Sequence, residues 1–151
     1  MDTKRLVTGT VVGGIAMYAL GYLFWGVILA NFFEGQAGSA TGLPRDAEIL
    51  WAGVAGTLSI ALLVTLAIGW TGGSSVMDGF KTGATLGFLF WLGADLLIYA
   101  NFNFSTLTGS VADAFVEMIR TGLGGAAIAA VTARGGAGAV AGGGEGMAAP
   151  L

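Results

Sequence analysis

Long runs of apolar residues, separated by short polar segments, make up most of this chain. Four runs lie at about residues 6–30, 49–70, 80–100 and 111–133. Each is about as long as the roughly 20 apolar residues that a helix needs to cross a bilayer. The runs do not alternate apolar and polar residues with a period of two, which argues against a β-barrel. The pattern predicts an all-α fold, a four-transmembrane-helix bundle with up-down-up-down topology.

The segments between and after these runs predict loops and a tail. Residues 31–47 collect Gly, Ser, Pro and charged residues, residues 71–79 are rich in Gly and Ser, and residues 101–110 carry Asn, Ser and Thr. Seven of the 17 residues in 135–151 are glycine, and this segment has too few large apolar side chains to bury a core. We therefore predict one domain over residues 1–134, followed by a flexible Gly/Ala-rich tail over 135–151.

The composition agrees with a chain surrounded by lipid. Hydrophobic residues make up 55% of the chain and charged residues 10%, against about 25% charged residues in typical soluble domains. The mean hydropathy is +0.82. The 28 glycines are typical of transmembrane helices that pack closely, whereas glycine destabilises helices in water. The lipid bilayer is therefore the first partner that we expect.

Residue types that the chain lacks exclude several classes of function. There is no Cys and no His, so zinc sites, haem ligation by His and Ser-His-Asp catalysis are excluded. The net charge is −3, and no basic patch is available for nucleic acid. Paired carboxylates can bind magnesium, but the sequence holds no acidic metal motif and no phosphate-binding loop. We expect a non-enzymatic protein without a metal, a cofactor or a nucleic-acid partner.

The Lys and Arg residues near the ends of the apolar runs predict an orientation. If both termini lie on one side of the membrane, that side carries Lys4, Arg5, Lys81 and Arg134, and the opposite side carries Arg45. Cytoplasmic segments are enriched in Lys and Arg. Both termini are therefore predicted to be cytoplasmic in a multi-pass membrane protein.

The third apolar run contains an acid, Asp95. Counting in fours along this run gives Gly83, Gly87, Trp91, Asp95 and Tyr99, which share one stripe of an α-helix. Ionisable residues within a bilayer are costly and usually face the interior of a bundle or a cavity. The stripe is therefore predicted to contact protein or a polar cavity.

Two more ionisable residues are expected near Asp95. In a hairpin centred near residue 105 or 106, Glu117 lies at the level of Asp95, and Arg120 lies one turn deeper. Two acids and one arginine need a shared proton or a water molecule. Three interpretations stay open: a structural ion-pair network, a polar ligand pocket in the outer half of the bilayer, and a site between subunits. The candidate site residues are Asp95, Glu117, Arg120, Tyr22, Trp25, Trp91, Tyr99, Asn101 and Asp113.

Two pairs of glycines predict close helix packing. Gly9/Gly13 and Gly83/Gly87 have the spacing that lets transmembrane helices approach each other. Packing within the chain explains both pairs, and a homodimer through one of these faces is the alternative.

Residues 83–117, GATLGFLFWLGADLLIYANFNFSTLTGSVADAFVE, resemble small bacterial four-helix membrane proteins grouped in families of unknown function. In those proteins a Gly-rich third helix carries an acid near its outer end, a polar loop follows, and an acid opens the fourth helix. Asp95, Asn101 and Asp113 match these positions. The resemblance implies a bacterial cytoplasmic (inner) membrane and no particular activity.

These patterns together predict a small polytopic membrane protein that binds a small or lipid-like ligand or supports a partner. The alternative is a proton- or cation-coupled transporter of small molecules that acts as an oligomer. In that alternative Asp95 and Glu117 titrate, and Arg120 is the counter-ion.

Overall fold

The structure is a computed structural model that describes residues 2–42, 45, 47–73 and 75–141, with side chains described as far as Thr132. Within these residues the chain is helical apart from its connections, and no strand is present. The predicted all-α fold is therefore confirmed. The elements are α1 (Thr3–Gly21), a π-helical segment (Tyr22–Ile28), α2 (Ala30–Gly35), α3 (Leu50–Thr71), α4 (Val76–Asn101) and α5 (Leu107–Ala141).

Four stretches of helix are long and apolar enough to cross a membrane. They correspond to the four apolar runs of the sequence, and each exceeds the length that a bilayer requires. The molecule is thus compatible with a small multi-pass integral membrane protein. The four stretches are Thr3–Ile28, Leu50–Thr71, Val76–Asn101 and Leu107–Thr132.

The first of these stretches is not one regular α-helix. α1 ends at Gly21, and the next seven residues form the π-helical segment, in which hydrogen bonds join residues five apart. Leu29, with φ −110° and ψ 9°, ends this segment before the short α2 begins. Hydropathy predicted the length of the span, but it carries no signal for the change of helix type.

Both helices of the α4–α5 hairpin begin four residues earlier than predicted. Ser75 caps α4, because its Oγ accepts a hydrogen bond from the Asp78 backbone N–H and the Asp78 side chain accepts one from the Ser75 N–H. At the start of α5, Thr106 Oγ1 accepts a hydrogen bond from the Gly109 N–H. These caps lie in polar segments that hydropathy alone assigns to loops.

α5 also continues past its predicted end, as far as Ala141. Residues 135–141, which the sequence assigns to the flexible tail, are helical. Alanine has the highest helix propensity of all residues, and three of these seven residues are alanine. The remainder of the predicted tail, residues 142–151, lies outside the described residues.

α4 and α5 pack against each other through glycines that meet backbone atoms. A Cβ atom added to Gly87 would lie 2.8 Å from the carbonyl oxygen of Glu117, and one added to Gly83 would overlap the carbonyl group of Thr121. Larger residues at these positions would push the helices apart. The Gly83/Gly87 pair therefore packs within the chain, and a homodimer through it, which stays a prediction, would have to displace α5.

α1 packs on α3 and α5 through its own glycine pair. A Cβ atom at Gly9 would lie 2.7 Å from Thr65 Cγ2, and one at Gly13 would lie 2.6 Å from Ile128 Cγ1. Side chains of α3 and α5 thus fill the space above these glycines. The buried apolar core beside them consists of Met17, Ala61, Val64, Ile68 and Ile128.

A short bridge of backbone hydrogen bonds joins two loops at one end of the bundle. The Gly38 N–H donates to Phe104 O at 2.8 Å, and the Thr106 N–H donates to Gln36 O at 2.8 Å. The segment after α2 is thereby tied to the α4–α5 connection. We call residues 36–40 and 103–106 the loop bridge.

Candidate functional site

A buried ion pair on α5 lies at the centre of the polar residues. Arg120 Nη2 and Nε lie 2.9 Å and 3.0 Å from the two carboxylate oxygens of Glu117. Thr121 Oγ1 donates to Glu117 at 3.2 Å, and Arg120 Nη1 donates to the carbonyl oxygen of Met17 at 3.3 Å. Glu117 is 4% exposed and Arg120 is 8% exposed. The hydrogen bond to Met17 links this buried pair, and with it α5, to α1.

Trp25 connects this ion pair to a second acid. Its indole Nε1 donates to Asp113 Oδ1 at 2.7 Å, and its ring lies 5.5 Å from the guanidinium carbon of Arg120. That second distance is within the range of a cation–π interaction. Trp25 is in the π-helical segment, and such segments are rare and often occur at functional sites.

Asp95 lies beside Asp113 and not directly opposite Glu117 as predicted. The two aspartate carboxyl groups are near enough to interact, and the Glu117 carboxylate acts on Asp95 more weakly from farther along α5. The Gly83–Thr121 and Gly87–Glu117 contacts centre the hairpin near residue 102. The prediction placed this centre at residue 105 or 106, and part of the difference arises because it started α5 four residues too late.

A cavity of about 330 Å³ opens between Asp95 and Asp113. Asp95 Oδ2 is buried, and no hydrogen-bond donor of the described residues reaches it. The loop bridge closes one side of this cavity through Gln36 and Ser105, and the Ser110 hydroxyl pairs with that of Ser105 at 2.9 Å. We call this space the acidic cavity. Asp95 thus lines the cavity and carries a buried acceptor that needs a hydrogen bond from a ligand or a water molecule.

A second cavity, of about 300 Å³, is lined by Arg120 of the ion pair. Arg120 and Trp25 contribute to its wall, and so do Tyr18, Tyr22 and Glu48. We call it the Arg120 cavity. The sequence did not single out Glu48 or Tyr18 as site residues, although Glu48 directly precedes an apolar run and Tyr18 shares a helical stripe with Tyr22.

The other predicted site residues lie apart from these contacts. The Trp91 Nε1 is buried on α4 and has no acceptor among the described residues. Tyr99 is exposed, and the Asn101 side chain donates to Leu97 O at 2.8 Å, which is a helix-end contact. Tyr22 is 71% exposed at the mouth of the Arg120 cavity. The structure thus joins Trp25, Asp113, Glu117 and Arg120 in one network, with Asp95 at its edge.

Comparison of the chain with known protein families, curated proteins and solved structures found no match. The resemblance to four-helix bacterial membrane proteins therefore stays a prediction. Among the described residues, no group of three or more Asp, Glu, His or Cys side chains is placed to hold a metal ion.

Proposed function

We propose that the chain is a non-enzymatic, multi-pass protein of a bacterial cytoplasmic membrane, with up-down-up-down helices and both termini in the cytoplasm. Four helices of sufficient length and hydropathy support the insertion. The opposed order of the Gly83–Thr121 and Gly87–Glu117 contacts supports an antiparallel α4–α5 pair. The four-to-one distribution of Lys and Arg supports the orientation.

In this proposal the protein binds a small ligand in the acidic cavity. The observation that carries it is that Asp95 and Asp113 line this cavity together, and that the buried Asp95 Oδ2 has no donor among the described residues. Arg120 does not neutralise Asp95 and Asp113 as it does Glu117, because Glu117 already accepts two of its hydrogen bonds. A ligand with a positive charge or several N–H or O–H donors would satisfy Asp95 and Asp113 together.

The contact between Glu117 and Arg120 fits a structural role better than a role in the acidic cavity, which neither residue lines. Glu117 and Arg120 satisfy each other, and Thr121 and Met17 supply further hydrogen bonds. The network interpretation therefore applies to this pair, and the pocket interpretation applies to Asp95 and Asp113. The two interpretations are assigned to different residues and can be tested separately.

Native mass spectrometry of the protein released from nanodiscs tests the binding proposal. We expect an additional mass on the wild-type chain that Asp95→Asn and Asp113→Asn remove. Glu34→Gln is the matched control, because Glu34 is an exposed acid on α2 outside both cavities. A bare wild-type mass, or an equal loss in the Glu34→Gln variant, would contradict the proposal.

One observation favours the transport alternative. Asp95 and Asp113 lie side by side without a cation between them among the described residues, so one proton can bridge them. A proton- or cation-coupled transporter would use such a pair, and with four membrane helices it would act as an oligomer. Proton flux into liposomes, reported by an enclosed pH-sensitive dye, measures this. An unchanged proton flux in the Asp95→Asn variant would exclude Asp95 from coupling.

A further inference from the structure

An apolar groove between α1 and α3 adjoins the Arg120 cavity. The groove has a volume of about 460 Å³, and its walls come from residues such as Val11, Ile15 and Leu58. Tyr18 and Thr57 line both the groove and the Arg120 cavity, so the two spaces lie next to each other. From Val11 to Tyr22 they extend about 16 Å along α1, at 1.5 Å per residue. One leaflet of a bilayer has a hydrocarbon layer of about 15 Å.

Arg120 has hydrogen-bond donors to spare at the polar end of this groove. A guanidinium group carries five N–H donors. Two of them bond Glu117, and one bonds Met17 O. The other two have no acceptor among the described residues, although Arg120 is 8% exposed. Phosphate oxygens are the acceptors that arginine binds best.

Glu48 supplies the opposite charge in the same cavity. It precedes α3, and its carboxylate lies over Gly53, whose Cβ position is 3.8 Å from the Tyr18 ring. Glu48 is exposed, and it lines the cavity together with Arg120. A primary ammonium group can donate hydrogen bonds to this carboxylate, whereas a quaternary ammonium group cannot. A purely anionic head group would meet repulsion from Glu48.

α3 begins at the level of these charges. The first turn of α3 lies beside Tyr18 and the Arg120 cavity, and Trp51 in that turn is 75% exposed. Tryptophan is enriched where a membrane helix meets the interface. The charged end of the groove therefore lies beside the end of α3, and its apolar part runs along the hydrophobic length of α3.

We propose that this groove binds one phospholipid of the phosphatidylethanolamine type. Its phosphate accepts hydrogen bonds from Arg120, its primary ammonium donates to Glu48, and one acyl chain lies against Val11, Ile15 and Leu58. This proposal rests on the membrane insertion proposed above. It does not depend on a ligand in the acidic cavity, because the two sites share no lining residue.

Competition between lipids in native mass spectrometry tests the head-group contacts. The full chain is placed in nanodiscs made from equal parts of phosphatidylethanolamine, phosphatidylcholine and phosphatidylglycerol with identical acyl chains. We expect the released protein to retain phosphatidylethanolamine severalfold over the other two. Glu48→Gln should remove most of the preference over phosphatidylcholine, and Glu34→Gln should leave it unchanged. Equal retention of the three lipids, or the same loss in both variants, would overturn the proposal.

A second pair of variants tests the groove without touching the ion pair. Ala19→Phe places a ring in the groove, whereas Ala55→Phe adds the same ring to an exposed position of α3 outside the groove lining. We expect Ala19→Phe to reduce retention of all three lipids severalfold and Ala55→Phe to have no effect. Unchanged retention in the Ala19→Phe variant would show that no acyl chain lies there. Asp95→Asn should leave lipid retention unchanged, which separates this result from the test of the acidic cavity.

Discussion

The α4–α5 contact is closed at Gly83 and Gly87, whereas the α1–α3 contact is open on one side. In α4, Gly83 and Gly87 face backbone atoms of α5 directly. In α1, Gly14 faces the side chain of Leu58, and the groove remains next to it. Glycine is abundant in both helix pairs. Only where two backbones touch is no space left between the helices for another group. Small residues therefore predict close approach of two helices, but the surface of the partner helix decides whether a cavity is left.

The largest effect on stability is expected at the buried ion pair on α5, which also contacts α1. Glu117→Ala leaves the Arg120 charge buried without its partner, so we expect the free energy of unfolding to fall by about 3–5 kcal/mol. Thermal and denaturant unfolding in detergent, followed by circular dichroism, measures this. The double variant Glu117→Leu/Arg120→Met should recover most of the loss, because it removes both charges. A change below about 0.5 kcal/mol for Glu117→Ala would mean that the pair does not stabilise the fold.

The two kinds of glycine contact can be compared by adding one methyl group. Gly83→Ala forces a Cβ into the Thr121 backbone, so we expect a loss of about 2–3 kcal/mol. Gly14→Ala should cost less than about 1 kcal/mol, because the nearest atom, 2.6 Å away, is the end of the flexible Leu58 side chain.

Gly93→Ala is the control for this pair. Gly93 is on the same helix as Gly83, but a Cβ added there meets no neighbouring atom within 4 Å. We expect Gly93→Ala to be neutral or slightly stabilising, because alanine favours helices. Equal losses for Gly83→Ala and Gly14→Ala would remove the distinction between the closed and the open contact.

The link between α5 and the π-helical segment should have an intermediate effect. Trp25→Phe keeps the apolar ring but removes the donor to Asp113, so we expect a loss of about 1–2 kcal/mol. The melting temperature in detergent measures this effect. Trp51→Phe serves as the control, because Trp51 is largely exposed. If both substitutions lower the melting temperature equally, the hydrogen bond from Trp25 to Asp113 does not stabilise the fold measurably.

The smallest effect on overall stability is expected at the loop bridge. Gly38→Ala would place a Cβ into the Asn103 carbonyl group, whereas Gly35→Ala meets no atom within 4 Å. We expect Gly38→Ala to lower global stability by less than about 1 kcal/mol but to speed amide exchange in residues 36–40 and 103–106. Hydrogen exchange with mass spectrometry measures this difference, and equal exchange in the two variants would contradict it.

The sequence predicted the elements well where hydropathy controls them and poorly where single hydrogen bonds do. The four apolar runs became four long helices, because the number of consecutive apolar residues is a local property. The starts of α4 and α5 depend on the Ser75 and Thr106 caps, which lie inside polar segments. An error of four residues at the start of α5 contributed to assigning the wrong neighbour to Asp95.

The candidate site shows the same division between local and distant information. Spacing along α5 correctly placed Glu117 and Arg120 on one face, and they form an ion pair there. Spacing could not show that Trp25 reaches Asp113, since this contact joins residues 88 positions apart through a π-helical segment. Glu48 was missed as a site residue because its distance from Arg120 depends on how far α3 extends beside α1.

The sequence by itself determined the all-helical class, the number of apolar spans and the exclusion of chemistry that needs Cys or His. Each of these follows from residue types and from counts along the chain. Only the tertiary structure decided which acid pairs with Arg120, which acid is left without a donor, and where the α1–α3 groove lies. The glycines that meet a neighbouring helix set how far one helix is shifted along the other. Which glycines do so depends on contacts between residues far apart in the chain.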